Sequence, residues 1–272
     1  MKIAVSIVLY NPDINRLNSS IKELENIVDK VYLIDNNSSN IKDVKSKFKS
    51  KKIEIISNKN NFGIAYALNQ ALAISQKDSI DYLITLDQDS IFKTKEVNKV
   101  LKHLDEPDVA IFCPVIKDIN KSKKLKYNNS ISDINRCITS GCVMNLKECL
   151  EIGLFDEDMF IDYVDFDYCK RIRIANKRIV RVNDSVLEHE IGKRQKRKFL
   201  FFNVYPTNHN AKRIFFYSRN IKYYLKKYKK QLSFMEKINE YKYLLWKLVS
   251  IVLYEDNKKN KIKMYFKGMK VA

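Results

Sequence analysis

Two aspartates set one residue apart, Asp87 and Asp89, close the apolar run at residues 82–86. In an extended chain residues two apart point the same way, so both carboxylates converge on one hard cation, or on a cation and a sugar hydroxyl. Turns after strands also favour Asp for local hydrogen bonding, so the pair draws its weight from position. Three other apolar runs end in polar residues: Tyr10, Asn11 and Pro12; Asp35, Asn36, Asn37 and Ser38; and residues 58–63, with Asn61 and Gly63. Asp35 suits a base N–H or a ribose hydroxyl, and equally the cap of a following helix. Neither GxxxxGK[ST] nor GxGxxG occurs, so a diphosphate bound here needs a metal and cationic side chains.

A second acidic stretch packs six carboxylates into residues 156–167. Asp156, Glu157 and Asp158 read as an acidic first turn that complements a helix dipole. Asp162 and Asp165 differ, because they lie among Phe160, Ile161, Tyr163, Val164 and Phe166, where partial desolvation suits a general base. His189 precedes Gly192 at the end of an apolar segment; metal or phosphate contact is the sharp reading, a structural imidazole the plain one. Gly141 sits in an apolar run at 138–144. Arg219 and Asn220, with Arg213 upstream, read either as phosphate recognition or as an exposed helix face.

The elements that position these residues alternate. Short β-branched runs at 3–9, 31–34, 53–57, 82–86 and 109–115 are separated by helix-like segments at 14–28, 41–48 and 64–75. Strand, helix, strand at this spacing builds βαβ units and hence a doubly wound, mostly parallel α/β sheet. In such sheets ligands bind beyond the carboxyl ends of the strands, which is where the polar residues fall. Residues 155–176 start acidic and become helical, and short strands are expected at 179–182 and 185–187. From Lys193 the composition turns basic, aromatic and helical, which places a domain boundary there: 1–192 and 193–272. The latter holds 22 Lys/Arg against 4 Asp/Glu, whereas the former is nearly balanced at 29 against 28. Such asymmetry points to a polyanionic surface, nucleic acid or anionic lipid.

Five cysteines at spacings that fit no zinc or redox pattern read as reduced packing residues of a cytoplasmic protein. The apolar run at 3–10 is too short for a signal peptide core, and no stretch has the length of a spanning helix.

In order, the motifs SIVLYNP (6–12), LIDNNS (33–38), NKNNFGIAYALNQ (58–70), LITLDQDS (83–90), TSG (139–141), GLFDEDMFIDYVDFDYCKR (153–171), HEIG (189–192) and YSRN (217–220) resemble the family 2 glycosyltransferases of GT-A fold, in particular their rhamnosyltransferase-like branch. The resemblance spans roughly residues 3–220. It implies that Tyr10, Asn11 and Asp35 contact the nucleotide base and ribose, and that Asn61 and Gly63 line the nucleotide. Asp87 then serves ribose and metal, Asp89 is the metal ligand, and Asp165 is the catalytic base, with Val164 before it where many members have Glu. His189 resembles a metal or diphosphate ligand. Gly141, Asp162, Arg219 and Asn220 fall to the acceptor or diphosphate.

The implied reaction is inverting transfer, dependent on Mg²⁺ or Mn²⁺, from a nucleotide-diphosphate sugar. dTDP-L-rhamnose is the first donor and a UDP-hexose the next; the acceptor is a lipid-linked or surface glycan. The basic C-terminal region, 193–272, is expected to meet the acceptor and to hold the enzyme peripherally on the anionic inner face of the cell membrane, through aromatics and lysines of residues 198–230 and through the short apolar stretch 243–254 around Trp246, which can lie in the interface or equally pack on the core. Two rivals are a basic nucleic-acid-binding protein, which leaves the acidic strand ends unexplained, and a nucleotidyltransferase, which wants a basic Gly-rich loop after the first strand. No nucleic-acid partner is expected.

Overall fold

The computed structural model describes residues 1–118, 130–189, 197–199, 202–204 and 206–272. They divide into two compact units, one formed by Met1–Asp158 with Val164–Glu190 and the other by Met159–Tyr163 with Ile191–Ala272. The boundary expected at Lys193 lies outside the described residues.

The first unit is built on an eight-stranded sheet. Its strands are β1 (Ile3–Leu9), β2 (Lys30–Asp35), β3 (Ile53–Ser57), β4 (Tyr82–Asp87), β5 (Val109–Asp118), β6 (Ile131–Asp133), β7 (Cys142–Asn145) and β8 (Arg178–His189), in the order β3-β2-β1-β4-β7-β5-β8-β6. β1, β2, β3 and β4 run parallel, as the βαβ spacing requires. β7 enters antiparallel between β4 and β5, and β6 pairs antiparallel with β8. Helices α1 (Ile14–Leu24), α2 (Ile41–Lys47), α3 (Ile64–Lys77), α4 (Thr94–Leu101), α5 (Leu146–Ile152) and α6 (Val164–Ile174) complete the α/β unit. The β1 sequence IAVSIVL is buried along almost its whole length, as a central strand's near-continuous apolar run must be. Its Val5, Ile7 and Leu9 join Leu33, Ile84, Leu86, Phe112 and Val143 in one core.

Where two short strands were expected at 179–182 and 185–187, β8 is one strand with an irregularity. Pro114 pairs with Val182, and Val115 pairs with Val186. The looped-out residues are held by α4: Ser185 Oγ donates to the Glu96 carbonyl at 2.8 Å, and Glu96 Oε2 accepts from Val186 N–H at 2.9 Å. Glu96 is buried and also takes Lys99 at 2.9 Å, so the bulge carries its own polar partners.

The second unit holds the hairpin of β9 (Arg197–Phe199) and β10 (Phe202–Val204), then α7 (Ala211–Lys227), α8 (Phe234–Tyr254) and α9 (Lys258–Val271). The hairpin replaces helix expected at the start of this region. α7 and α9 approach so closely that a Cβ on Gly268 would lie 2.2 Å from Ser218 Oγ and 2.4 Å from the Phe215 carbonyl, so only glycine fits. Ser218 Oγ lies 2.8 Å from the Tyr265 carbonyl and donates across the contact. At the α8–α9 turn the buried Glu255 takes Lys247 at 2.7 Å and Lys261 at 3.0 Å. The Lys247 ammonium is pulled below its usual range by burial, with Glu255 opposing.

Several aromatics of residues 211–228 expected at a lipid surface make contacts within the unit. Tyr224 and Tyr228 are buried, Phe216 stacks on Phe160 at 4.8 Å, and Tyr163 meets both Tyr217 and Tyr224 edge-on. The side chains of Phe199, Phe201, Phe202 and Tyr205 lie outside the described residues, as do Lys193, Arg194 and Lys196. Among the described residues no helix is long and apolar enough to cross a membrane.

Candidate active site

The strand register gathers the polar ends predicted from the sequence. Leu9 stands opposite Asp35, and Val8 opposite Asp87, so the ends of β1, β2 and β4 share one edge of the sheet. At that edge Gln88 clamps β1. Its Oε1 accepts from Tyr10 N–H at 2.7 Å and its Nε2 donates to the Tyr10 carbonyl at 3.1 Å, leaving the Tyr10 side chain half exposed. Asn11 follows in a left-handed conformation (φ 51°), which Asn tolerates better than most residues. Its N–H donates to Ser38 Oγ at 2.8 Å, and its Oδ1 accepts from Ser39 N–H and Ser39 Oγ, both at 2.8 Å. Asp35 is buried, and its two oxygens lie 3.1 and 3.2 Å from Ser38 N, so it caps the turn after β2 and not α2, whose N-cap is Asn40.

The loop from β3 to α3 is held by amides. Asn61 Oδ1 accepts from Gly63 N–H at 3.0 Å, and Gly63, at φ 93°, is the α3 N-cap. Asn36 Nδ2 donates to the Gly63 carbonyl at 3.0 Å. Asn58 Nδ2 donates to Asn36 Oδ1 at 3.1 Å and to Gln70 Oε1 at 2.8 Å, while Gln70 Nε2 returns a bond to Asn58 at 3.0 Å. The loop is thereby tied to both β2 and α3.

The turn holding Asp87 and Asp89 is fixed by Ser140 and Arg16. Ser140 Oγ accepts from Asp87 N–H at 3.1 Å and lies 2.9 Å from Ser90 Oγ. Arg16 Nε of α1 donates to the Asp89 carbonyl at 2.5 Å. Asp89 Oδ1 is buried, yet no described residue donates a hydrogen bond to it. A buried carboxylate oxygen without a donor is costly, and a cation is the partner that would satisfy it. Among the described residues no three His, Cys, Asp or Glu side chains gather as a cage. Two carboxylates still suit Mg²⁺ or Mn²⁺, which completes its shell with water and substrate phosphates. Asp87 and Asp89 therefore fit the ion. His189 ends β8 in register with Asp118, and its side chain lies outside the described residues.

The 139–141 motif is sewn to β4. Thr85 Oγ1 donates to the Thr139 carbonyl at 2.6 Å, and Gly141 N–H to the Thr85 carbonyl at 2.7 Å. Gly141 has φ 84°, a conformation that L side chains rarely adopt, and a Cβ there would also press on Leu187 Cδ2 at 2.7 Å, so the backbone favours glycine. Asp165 stands in the first turn of α6, its Oδ1 accepting from Phe166 N–H at 2.9 Å. Its charge reaches the Cys142 thiol that opens β7. That thiol is pushed up to about 11: its Cys137 neighbour pulls it down, and burial with the charges of Cys113, Cys169 and Asp165 outweighs this. All five cysteines are free thiols, and Cys137 Sγ lies 3.6 Å from Cys142 and 3.7 Å from Cys169.

The expectation that Asp156, Glu157 and Asp158 form a helix's acidic first turn is not met: they precede α6, whose first-turn acids are Asp165 and Asp167. Asp167 is buried against Arg171 at 3.1 Å. Glu157 instead accepts from Asn69 Nδ2 at 2.7 Å, and the same Asn69 exchanges bonds of 2.7 and 3.0 Å with the Phe155 backbone.

In the second unit, Asp162 (φ 65°) takes the Arg213 guanidinium on both oxygens, with Nη2 at 2.9 Å and Nε at 3.1 and 3.3 Å. Arg213 is thus engaged by a carboxylate. Asn220, expected at acceptor or diphosphate, is fully buried and donates to the carbonyls of Ile161 and Asp162, both at 2.8 Å. Arg219 Nε donates to Asn220 Oδ1 at 2.9 Å and its guanidinium lies over Phe216. These residues hold the strained backbone of 161–163 in place. Sequence reasoning missed Arg16 and gave no role to Gln88, Ser38, Ser140 or Asn69, although these lie in the motifs. Only the place of Gln88 between two aspartates could have flagged it.

An acidic strand-end turn on a mixed sheet with parallel βαβ units suits a nucleotide-diphosphate ligand, and residues 4–185 match the family model for glycosyl transferase family 2. The chain belongs to that family and is a nucleotide-sugar glycosyltransferase. It is 30% identical over 203 residues to the dTDP-rhamnosyl transferase RfbF of Shigella flexneri, covering 68% of each chain. Among solved structures, it is similar to GalNAc-T7 with UDP, GalNAc and Mn²⁺ (TM-score 0.63, 14% identity, 98% of this chain and 54% of that one). It is also similar to residues 1–349 of TarS of S. aureus in complex with UDP-GlcNAc (TM-score 0.60, 12% identity, 98% and 79%). These likenesses establish the GT-A glycosyltransferase fold, and the family match sets aside the nucleic-acid-binding and nucleotidyltransferase readings.

Proposed function

We propose that this glycosyltransferase transfers L-rhamnose from dTDP-L-rhamnose, with inversion, to a lipid-linked or surface glycan, and that it works peripherally at the inner face of the cell membrane. The 30% identity to a dTDP-rhamnosyl transferase supports the donor. Residues 1–192 bind donor and carry the chemistry, and residues 193–272 meet acceptor and membrane.

The observation that carries the site assignment is the buried, donorless Asp89 oxygen in a turn fixed by Ser140 and Arg16. Asp87 and Asp89 would hold the divalent ion, which would supply Lewis-acid stabilisation to the diphosphate leaving group. Tyr10, Asn11 and Asp35 face the nucleoside, with Asn61 and Gly63 lining it. Gln88 keeps the Tyr10 backbone in place, so the half-exposed ring is pre-positioned. Asp165 accepts the proton of the acceptor hydroxyl as that oxygen attacks the anomeric carbon and the bond to the diphosphate oxygen breaks. One displacement inverts the centre.

The test is nucleoside diphosphate release from a panel of nucleotide sugars, with and without chelator. dTDP-L-rhamnose should turn over fastest, and EDTA should stop it. Preference for a UDP-hexose would move the donor, and full activity in EDTA would remove the metal.

A further inference from the structure

Helix α8 carries a stripe of exposed apolar residues. Glu240, Leu244, Ser250 and Ile251 form the buried side of the helix. At 3.6 residues per turn, Met235, Tyr241, Leu245, Trp246, Val252 and Leu253 line the opposite side, and all are exposed, Leu245 by 62% and Trp246 by 46%. Lys242 is the only charged residue on that stripe. Over 21 residues the stripe runs about 30 Å, and exposed apolar surface that long marks an interaction site.

Charge selects the occupant. Lys226, Lys227, Lys229 and Lys230 are exposed just before the helix, and Lys258 and Lys259 just after it. Residues 206–272 hold 17 Lys/Arg against 4 Asp/Glu, and two of those acids, Glu240 and Glu255, are buried and bonded. A second copy would set like charge against like at both ends of the stripe. The complementary partner is apolar in the middle and anionic at its rim. We infer that α8 lies in the surface of an anionic bilayer, its Leu245 side among the acyl chains and the flanking lysines on lipid phosphates. This rests on the membrane reading above and narrows its contact element from residues 198–230 and 243–254 to the exposed side of α8.

The chain has a single tryptophan, Trp246, and it reports on this face. The full chain is titrated with vesicles of phosphatidylcholine alone or mixed with phosphatidylglycerol, following sedimentation and Trp246 emission. Binding should require the anionic lipid, blue-shift Trp246, and weaken at least about tenfold in Leu245→Glu/Val252→Glu, with nucleotide-sugar hydrolysis in solution unchanged. Binding without a shift, or equal binding by the double variant, overturns the α8 assignment and leaves membrane association by other basic residues. Absence of binding overturns both. A concentration-dependent dimer that the double variant dissociates would assign the stripe to a second copy and overturn the inference.

Discussion

Replacing Asp89 by Ala should stabilise the metal-free protein while abolishing its metal-dependent grip on nucleotide. The carboxylate has one buried oxygen with no donor among the described residues, and such a group costs about 1–3 kcal/mol. Its backbone carbonyl, which takes Arg16 Nε, is untouched by the substitution. For a unit of this size each kcal/mol moves the melting temperature by about 2–4 °C, so Asp89→Ala should melt roughly 2–12 °C higher in chelator. In the wild type, Mg²⁺ with dTDP at a hundredfold excess over Kd adds about 2.7 kcal/mol. The variant should lose that gain. The assay is thermal unfolding of both proteins in EDTA, in Mg²⁺, and in Mg²⁺ with dTDP. A variant that melts below the wild type in EDTA, or keeps the shift with Mg²⁺ and dTDP, would refute the reasoning.

Gln88→Ala removes both bonds to the Tyr10 backbone, each contributing about 0.5–1.5 kcal/mol, so calorimetry should show dTDP binding weakened roughly tenfold with the melting point within a few degrees; unchanged affinity would rule out the clamp. Asn69→Ala strands the buried Phe155 N–H and carbonyl and should destabilise the first unit by about 3 kcal/mol in urea unfolding, and a loss below about 1 kcal/mol would contradict this. Burial holds the Cys149 thiol up to about 12 from an ordinary 9.0, so the folded state keeps a proton that the unfolded chain releases. That contribution is complete below about pH 9 and declines as pH rises towards 12, by up to about 1.4 kcal/mol per pH unit. Cys149→Ala should flatten the alkaline fall of stability, and parallel curves for the two proteins would show that Cys149 plays no part.

The half of the site built from strand ends was legible because a central strand's apolar run stops where the sheet stops. Tyr10, Asp35 and Asp87 could thus be placed on one edge without knowing their neighbours. What could not be read depends on long-range register. Gln88 acts on Tyr10, 78 residues away, and Arg213 takes Asp162 across 51 residues. The single β8 looked like two strands because its looped-out residues are polar, and their partner, Glu96, lies on α4 about 90 residues earlier. In the sequence α7 and α8 both interleave aromatic or aliphatic residues with lysines. Only packing separates them: α7 turns Tyr224 inward, whereas α8 leaves Leu245 outside.

The central claim is tested most directly by single-turnover transfer of sugar from dTDP-L-rhamnose by wild type and Asp165→Asn, with donor affinity measured in parallel. An amide keeps the side chain's shape and removes its proton acceptor. Donor affinity should stay within about twofold while transfer falls by about 10²- to 10⁴-fold, the usual contribution of a general base. Transfer within about tenfold of wild type, with donor bound normally, would contradict the account.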